Sequence, residues 1–220
     1  YGLLRRGVKV TMLIRSAHPL AMQVDADAGR IIQTALERHG LSVQVGIEVT
    51  AVESDQHQRV VRAVLSDGQI IECQLIVVGK GVRPSVAFLD RDRLQVDAGI
   101  LVDDHLQTAV EGVYAAGDVA EHFDLARGQR WMNAIWPVAV EMGQIAGMNM
   151  AGRSVSFRGS LSRNVIRIFE VDVLTAGLVN PPPDPAYQVL AERNPRLGTY
   201  RKLVFKDELL VGAAQVGRVE

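Results

Sequence analysis

The feature that most constrains this chain is an eleven-residue string, Thr108-Ala109-Val110-Glu111-Gly112-Val113-Tyr114-Ala115-Ala116-Gly117-Asp118. Its second half, Gly112 to Asp118, reads as a short apolar strand that stops on a Gly-Asp pair. Small side chains at 115–117 let a ligand or another backbone come close, because glycine has no Cβ to obstruct it. In an open α/β sheet the crevice beyond the carboxyl ends of the strands is where ligands bind. A carboxylate placed there, Asp118, can accept hydrogen bonds from sugar-like hydroxyls. The competing reading is an Asp that caps a following helix. Gly-Asp after a strand is common; the full string is not.

Around this string the chain reads as three segments. Residues 1–82 look like repeated α/β units. Val8 to Ile14 is an apolar run suited to a buried parallel strand. Asp25 to His39 follows as a helix, with Ala28, Ile31, Ile32, Ala35 and Leu36 at helical spacing and Gly40 at its end. Ser42 to Val45 is a strand, and Val60–Leu65 and Gln69–Cys73 flank the hairpin signal Ser66-Asp67-Gly68. Leu75 to Val78 reads as a strand that stops at Gly79-Lys80-Gly81. Residues 83–154 add a strand at 100–102, the Gly-Asp string, and a helix from Pro137 to Met150 with proline at its favoured first position. Residues 155–220 change texture to strands: 165–169, 171–176, 199–206 and 209–213. Lys206-Asp207-Glu208 turns the last pair, and Pro181 to Pro185 is an exposed spacer.

Composition sets the class. Of 220 residues, 48% are apolar and 22% charged, as in a globular protein, and a net charge of −1 gives no basic field for nucleic acid or an anionic membrane. No apolar run approaches the roughly 20 residues of a spanning helix. The opening residues lack a signal-peptide layout, so a cytoplasmic protein is the expectation. Tyr1 to Gly7 reads like the middle of a helix. The single cysteine, Cys73, excludes an internal disulfide and a CxxC site in this chain. It sits in a strand pattern, where a small buried residue is more common than a nucleophile. The histidines at 18, 39, 57, 105 and 122 show no metal-like spacing and read as surface residues.

The string from Thr108 to Asp118 resembles the second flavin-binding motif of the pyridine nucleotide–disulfide oxidoreductase family. The resemblance implies that Gly117 and Asp118 contact FAD, with Asp118 on the ribityl chain. Other pieces fall in the family's order. Tyr1 to Arg15 resembles the helix and second strand that follow the nicotinamide-site glycine loop. Val77 to Pro84, which holds Gly79 and Gly81, resembles the passage from the nicotinamide domain to the flavin domain. Trp136-Pro137-Val138-Ala139, with Gly143 and Ala146-Gly147, resembles a helix of the rubredoxin reductase and nitrite reductase large-subunit branch. Tyr200 to Gly217 resembles that branch's C-terminal hairpin.

The expected architecture is therefore α/β: partial Rossmann-like NAD(P)- and FAD-binding domains at 1–82 and 83–154, then a small α+β domain at 155–220. The resemblance implies FAD and NAD(P)H as cofactors, bound in part by Arg15, Gly79, Gly81, Gly117, Asp118, Trp136 and Pro137. Trp136-Pro137 also has its own reading: a helix N-terminus offers unpaired amides and partial positive charge, which suit the negative charge of a reduced flavin. The competing reading is a tightly packed helix with a buried Trp. Arg15 ends the strand where dinucleotide-binding folds choose between cofactors; an acidic residue there suits NAD and an Arg accommodates the extra phosphate of NADP. The competing reading is a solvated loop arginine. The segment from 155 onward contains no histidine, which disfavours a glutathione-reductase-like acid/base pair. Two functions follow: the C-terminal part of an FAD-dependent NAD(P)H oxidoreductase serving a redox protein or small acceptor, with a homo-oligomer as one state, or a non-catalytic module that keeps the fold without cofactor. Because the glycine loops are not in the chain, residues 1–220 alone are expected to hold neither cofactor.

Overall fold

In the computed structural model, which describes residues 1–218, the first third is built around one amphipathic helix. A single-turn helix, α1 (Gly2–Arg5), precedes strand β1 (Thr11–Ile14), helix α2 (Ala26–Arg38) and strand β2 (Ser42–Val45). β1 and β2 pair in parallel, from Thr11↔Ser42 to Ile14↔Val45. Parallel neighbours need a long crossover connection, and α2 supplies it. Asp25 starts the helix by accepting the Ala28 amide at 3.2 Å. Gly40, at φ +88°, ends it in a conformation that costs glycine little. Three further strands, β3 (Val49–Ser54), β4 (Val60–Leu65) and β5 (Ile70–Glu72), form an antiparallel sheet turned at Gly68. The expected strand at Leu75–Val78 is absent. No described strand lies alongside to pair with it, and Leu75, Val77 and Val78 are exposed along an irregular stretch.

The middle segment is also rearranged relative to expectation. Gly112 to Asp118 does not form a strand. Tyr114 makes one isolated bridge to Gln107, and the Ala115 amide donates to the Leu106 carbonyl. Gly117 then takes φ +77°, which breaks the extended backbone and opens a 3-10 turn, Gly117–Val119. The strand comes after the Gly-Asp pair: β7 (Ala120–Asp124) pairs in parallel with β6 (Ile100–Leu101) and antiparallel with β8 (Gln129–Trp131). Helix α3 (Trp136–Met150) lies over this sheet, and Val138, Met142 and Ala146 pack with Ile100, Val102, Leu106, Ala120 and Phe157.

The C-terminal segment is a five-stranded antiparallel sheet in the order β11-β12-β13-β10-β9, from β9 (Arg163–Ile168), β10 (Val171–Gly177), β11 (Tyr187–Asn194), β12 (Thr199–Lys206) and β13 (Leu209–Gly217). Phe169 belongs to the β9–β10 turn rather than to a strand; its φ is +54°. Successive residues of a strand point to opposite faces, and one face of this sheet receives α2. Ile32 and Val216, both fully buried, meet there with Val24, Ala28, Leu36, Val171, Val173 and Tyr200, while Val10, just before β1, and Val43 of β2 pack against the same cluster. Each fully buried aliphatic side chain contributes about 1.5–3 kcal/mol. The hairpin tip at Ala126 packs on the same sheet against Leu178, Val204 and Val211.

A polar junction fixes α2 on that face. Beyond capping the helix, Asp25 accepts the Tyr200 hydroxyl at 2.5 Å and the Lys202 ammonium at 2.8 Å, both on Oδ2. Lys202 is buried. Burial alone would raise the Asp25 pKa, but the hydrogen bonds from Lys202, Tyr200 and the Ala28 amide outweigh it and hold the carboxyl below its usual range. Burial and the Asp25 charge push the Tyr200 hydroxyl upward. Removing one partner of such a pair strands the other charge, at a cost of about 3–5 kcal/mol. Asp25→Ala is therefore expected to lose roughly that much stability in denaturant unfolding, and Tyr200→Phe about 1–2 kcal/mol. Because the folded pKa lies below the unfolded value of about 3.9, the Asp25 contribution is complete above about pH 4 and fades as pH falls through the folded value. A pH series comparing wild type with Asp25→Asn checks the sign.

Candidate functional site

The Gly-Asp turn and the start of α3 meet at one corner of the fold. Thr108 shapes the approach: its hydroxyl accepts the Val110 amide at 3.1 Å, and the Thr108 amide donates to the Val113 carbonyl. Gly112 at φ +76° then returns the chain towards Ala115. The 3-10 turn at Gly117–Val119 packs on α3. A Cβ placed on Gly117 would sit 3.3 Å from the Ala139 Cβ. Glycine at 117 is thus required twice, by its φ and by the close approach of the helix. Pro137 lies in the first turn of α3, and Ile135 at the N-cap offers no side-chain hydrogen bond. The first amides of α3 are left for another acceptor. Asp118 is exposed beside this end, and Trp136 is 82% exposed, which overturns the packed-Trp reading. Gly117, Asp118, Trp136 and Pro137 are brought together.

Arg15, Gly79 and Gly81 form a second grouping, through a residue that spacing did not reveal. Glu48 Oε1 lies 3.9 Å from Arg15 Nε and 3.6 Å from Lys80 Nζ, the residue between the two glycines. Arg15 follows β1 directly and Glu48 lies three residues beyond β2, so both stand at the carboxyl ends of adjacent parallel strands. Arg15 and Lys80 are largely solvated, and pairs of this kind contribute little stability. Gly79 and Gly81 are exposed with open space around them. The only cue to Glu48 in the sequence was its place just after a strand.

His122 is a correction of another kind. It is 2% exposed, not a surface histidine. Its Nε2 lies 2.6 Å from Ser160 Oγ, and Asn133 Nδ2 donates to both Ser160 Oγ and Asp124 Oδ2 at 2.7 Å. Its Nδ1 lacks a well-formed partner, although the Ala120 carbonyl is near enough to favour protonation. Burial dominates and holds the imidazole pKa below its ordinary value; Arg130 acts in the same direction, Asp124 and Glu121 against it. Cys73 is half-buried just after β5. Among the described residues no helix is long and apolar enough to cross a membrane.

Comparison with known proteins adds the following. Residues 2–143 match the family model described as pyridine nucleotide-disulphide oxidoreductase. The chain is 29% identical to the NAD(P)H nitrite reductase of Bacillus subtilis over 218 residues, 98% of this chain and 26% of that protein. It is 23% identical to the NADH-rubredoxin oxidoreductase of Clostridium acetobutylicum over 97% of this chain and 50% of that protein. Its fold resembles an NAD-dependent persulfide reductase from A. fulgidus, with a TM-score of 0.87 and 22% identity over 99% of this chain and 43% of that one. It also resembles an FAD-dependent pyridine nucleotide-disulphide oxidoreductase from Desulfovibrio vulgaris, with a TM-score of 0.84 and 18% identity over 97% of this chain and 54% of that one. The chain thus spans between about a quarter and a half of the relatives it matches.

Two measurements follow from the local geometry. Gly117→Ala forces a side chain into a positive-φ position against Ala139 and is expected to cost about 1–3 kcal/mol in denaturant unfolding. For His122, the folded pKa lies below the unfolded value of about 6.5, so the unfolded chain binds the proton first and stability falls as pH drops below that value. His122→Gln is expected to flatten the melting temperature between about pH 5 and 7, where wild type declines.

Proposed function

The chain belongs to the pyridine nucleotide-disulphide oxidoreductase family, and from that premise we propose that it forms part of an FAD-dependent NAD(P)H oxidoreductase that delivers electrons to a redox protein or small acceptor. In this reading residues 1–82 serve the nicotinamide cofactor, residues 83–154 the flavin, and residues 155–220 the outer wall of the enzyme. The observation that carries it is the Gly117-Asp118 turn laid against the uncapped first turn of α3. That surface offers the three things a flavin nucleotide needs from a protein: a carboxylate for its polyol hydroxyls, amides and helix-end charge for an anionic edge, and an exposed aromatic, Trp136, beside them.

FAD, when bound, supplies the two-electron chemistry, and the residues here position and bias it. Asp118 holds hydroxyls and thereby fixes depth. The α3 amides favour negative charge at their end, which makes reduction easier. Arg15 at the end of β1 provides a cation where the adenine ribose is read, in a place without a carboxylate of its own loop, and this supports NADPH over NADH. Redox-protein acceptors are supported by the rubredoxin oxidoreductase relative, whose partner is named with it. A cytoplasmic setting goes with the same chemistry.

In the whole protein, Asp118→Ala is expected to lower flavin per protein, read from visible absorbance after desalting, by about tenfold in affinity. Arg15→Glu is expected to move the ratio of kcat/KM for NADPH to that for NADH towards NADH by about tenfold or more. Full flavin retention in the first variant removes the flavin reading, and an unchanged ratio in the second leaves Arg15 a solvated loop residue.

A further inference from the structure

Glu48 stands on a fixed piece of backbone. Its carbonyl accepts the Ser66 amide at 2.9 Å, and its amide donates to Ser66 Oγ at 3.2 Å. The two residues before it are tied to the loop that carries Arg15. The Gly46 amide donates to the Ser16 carbonyl and the Ile47 amide to the Ile14 carbonyl, both at 3.2 Å. Lys80, the second cation on the Glu48 carboxylate, is held differently. Among the described residues, no backbone group of 74–83 makes a backbone hydrogen bond, and the Lys80–Glu48 pair is the one polar side-chain tie from that stretch to the rest of the chain. Glu48 Oε1 meets Arg15 at 3.9 Å and Lys80 at 3.6 Å. Both separations exceed hydrogen-bond length, so each cation keeps its donors for a better partner. The carboxylate is the anchored member of the cluster and the two cations are the movable ones.

Resting on the reading of residues 1–82 as the nicotinamide-nucleotide segment, we infer that Glu48 is a specificity-determining residue, an internal counter-ion whose two cations a 2′-phosphate takes over. A phosphate carries more charge than a carboxylate and presents several acceptor oxygens to a guanidinium and an ammonium. It therefore draws Arg15 and Lys80 away from Glu48, while its repulsion by the fixed carboxylate opposes binding. A ribose 2′-hydroxyl has the reverse preference. It donates a hydrogen bond to Glu48 and has no charge with which to take the cations. Glu48 thus lowers the preference for the phosphorylated nucleotide that Arg15 creates, and Lys80 raises it. Lys80 comes from a stretch with no other polar side-chain tie, so phosphate binding also transfers the anchor of that stretch from Glu48 to the ligand.

The test is calorimetric titration of the whole flavin-bearing protein with adenosine 2′,5′-bisphosphate and with adenosine 5′-monophosphate, which differ only in the 2′-phosphate. Melting curves show that each variant folds, and the readout is the ratio of the two affinities. Glu48→Gln keeps the size and removes the charge, and is expected to move the ratio towards the bisphosphate by about tenfold. Lys80→Met is expected to move it the other way. Glu53→Gln makes the same charge change on β3, where Glu53 pairs with Arg62 at 2.8 Å, and is expected to leave the ratio where it was. A ratio unmoved by Glu48→Gln or by Lys80→Met overturns the inference, as does an equal shift in Glu53→Gln, which would make the effect one of overall charge. Arg15→Glu separates this inference from the reading beneath it. If that variant removes the advantage of the bisphosphate while Glu48→Gln changes nothing, the role given to Glu48 falls and that of Arg15 stands. If wild type binds neither nucleotide, the nicotinamide-site reading falls and this inference with it.

Discussion

One carboxylate holds the two ends of this molecule together. Asp25 ends the loop before α2, caps that helix, and takes a phenol and an ammonium from β12. The partners lie 175 and 177 residues away in sequence. Packing alone would let an apolar helix slide or rotate on an apolar sheet, because hydrophobic contact is not directional. Three hydrogen bonds converging on one group leave α2 a single seat. β1 and β2, which pack on the other side of the helix, take their position from it. The cation pair beyond their carboxyl ends is therefore placed, at one remove, by the C-terminal sheet.

The corner where the Gly117-Asp118 turn meets α3 depends on something different, the absence of side chains. Gly117 allows the turn to approach Ala139, and Pro137 forgoes an amide that the first turn could not use. What remains at that corner is backbone: unpaired amides on one side, and a turn that offers Asp118 on the other. A surface built this way sets backbone donors and one carboxylate close together, which suits the polar ligand proposed for it.

Elements that carry their own periodicity were legible from the sequence. The spacing of Ala28, Ile32, Ala35 and Leu36, with Asp25 before and Gly40 after, specified α2 to within a residue of its observed bounds. The 60–73 hairpin and the strand at 42–45 were equally plain. Elements defined by a neighbour were not. Leu75 to Val78 has strand composition but no described strand beside it. β11 and β3 were passed over because almost every residue of each is exposed, leaving no alternation to read. Of the proposed site residues, Gly117, Asp118, Trp136 and Pro137 lie in two local strings that can be read from the sequence, and the 3-10 turn of the first packs on the helix of the second. Glu48 was not legible, since its role comes from two cations met only in three dimensions. His122 was misread because its burial rests on Ser160, 38 residues further on.

The placement of α2 also bears on how the chain is made. A helix of 13 residues is marginal by itself, and its second packing surface is assembled from β10, β12 and β13. At a synthesis rate of about 5–20 residues per second, the roughly 175 residues between Asp25 and Tyr200 take on the order of 10–35 s to emerge. Through that interval Ile32 and Leu36 lack the sheet face they pack on in the folded protein, and the Asp25 carboxylate lacks the Lys202 ammonium. The packing of α2 is therefore completed only once β12 and β13 have emerged, and the period in which a chaperone or a protease can reach it is written into the order of the strands.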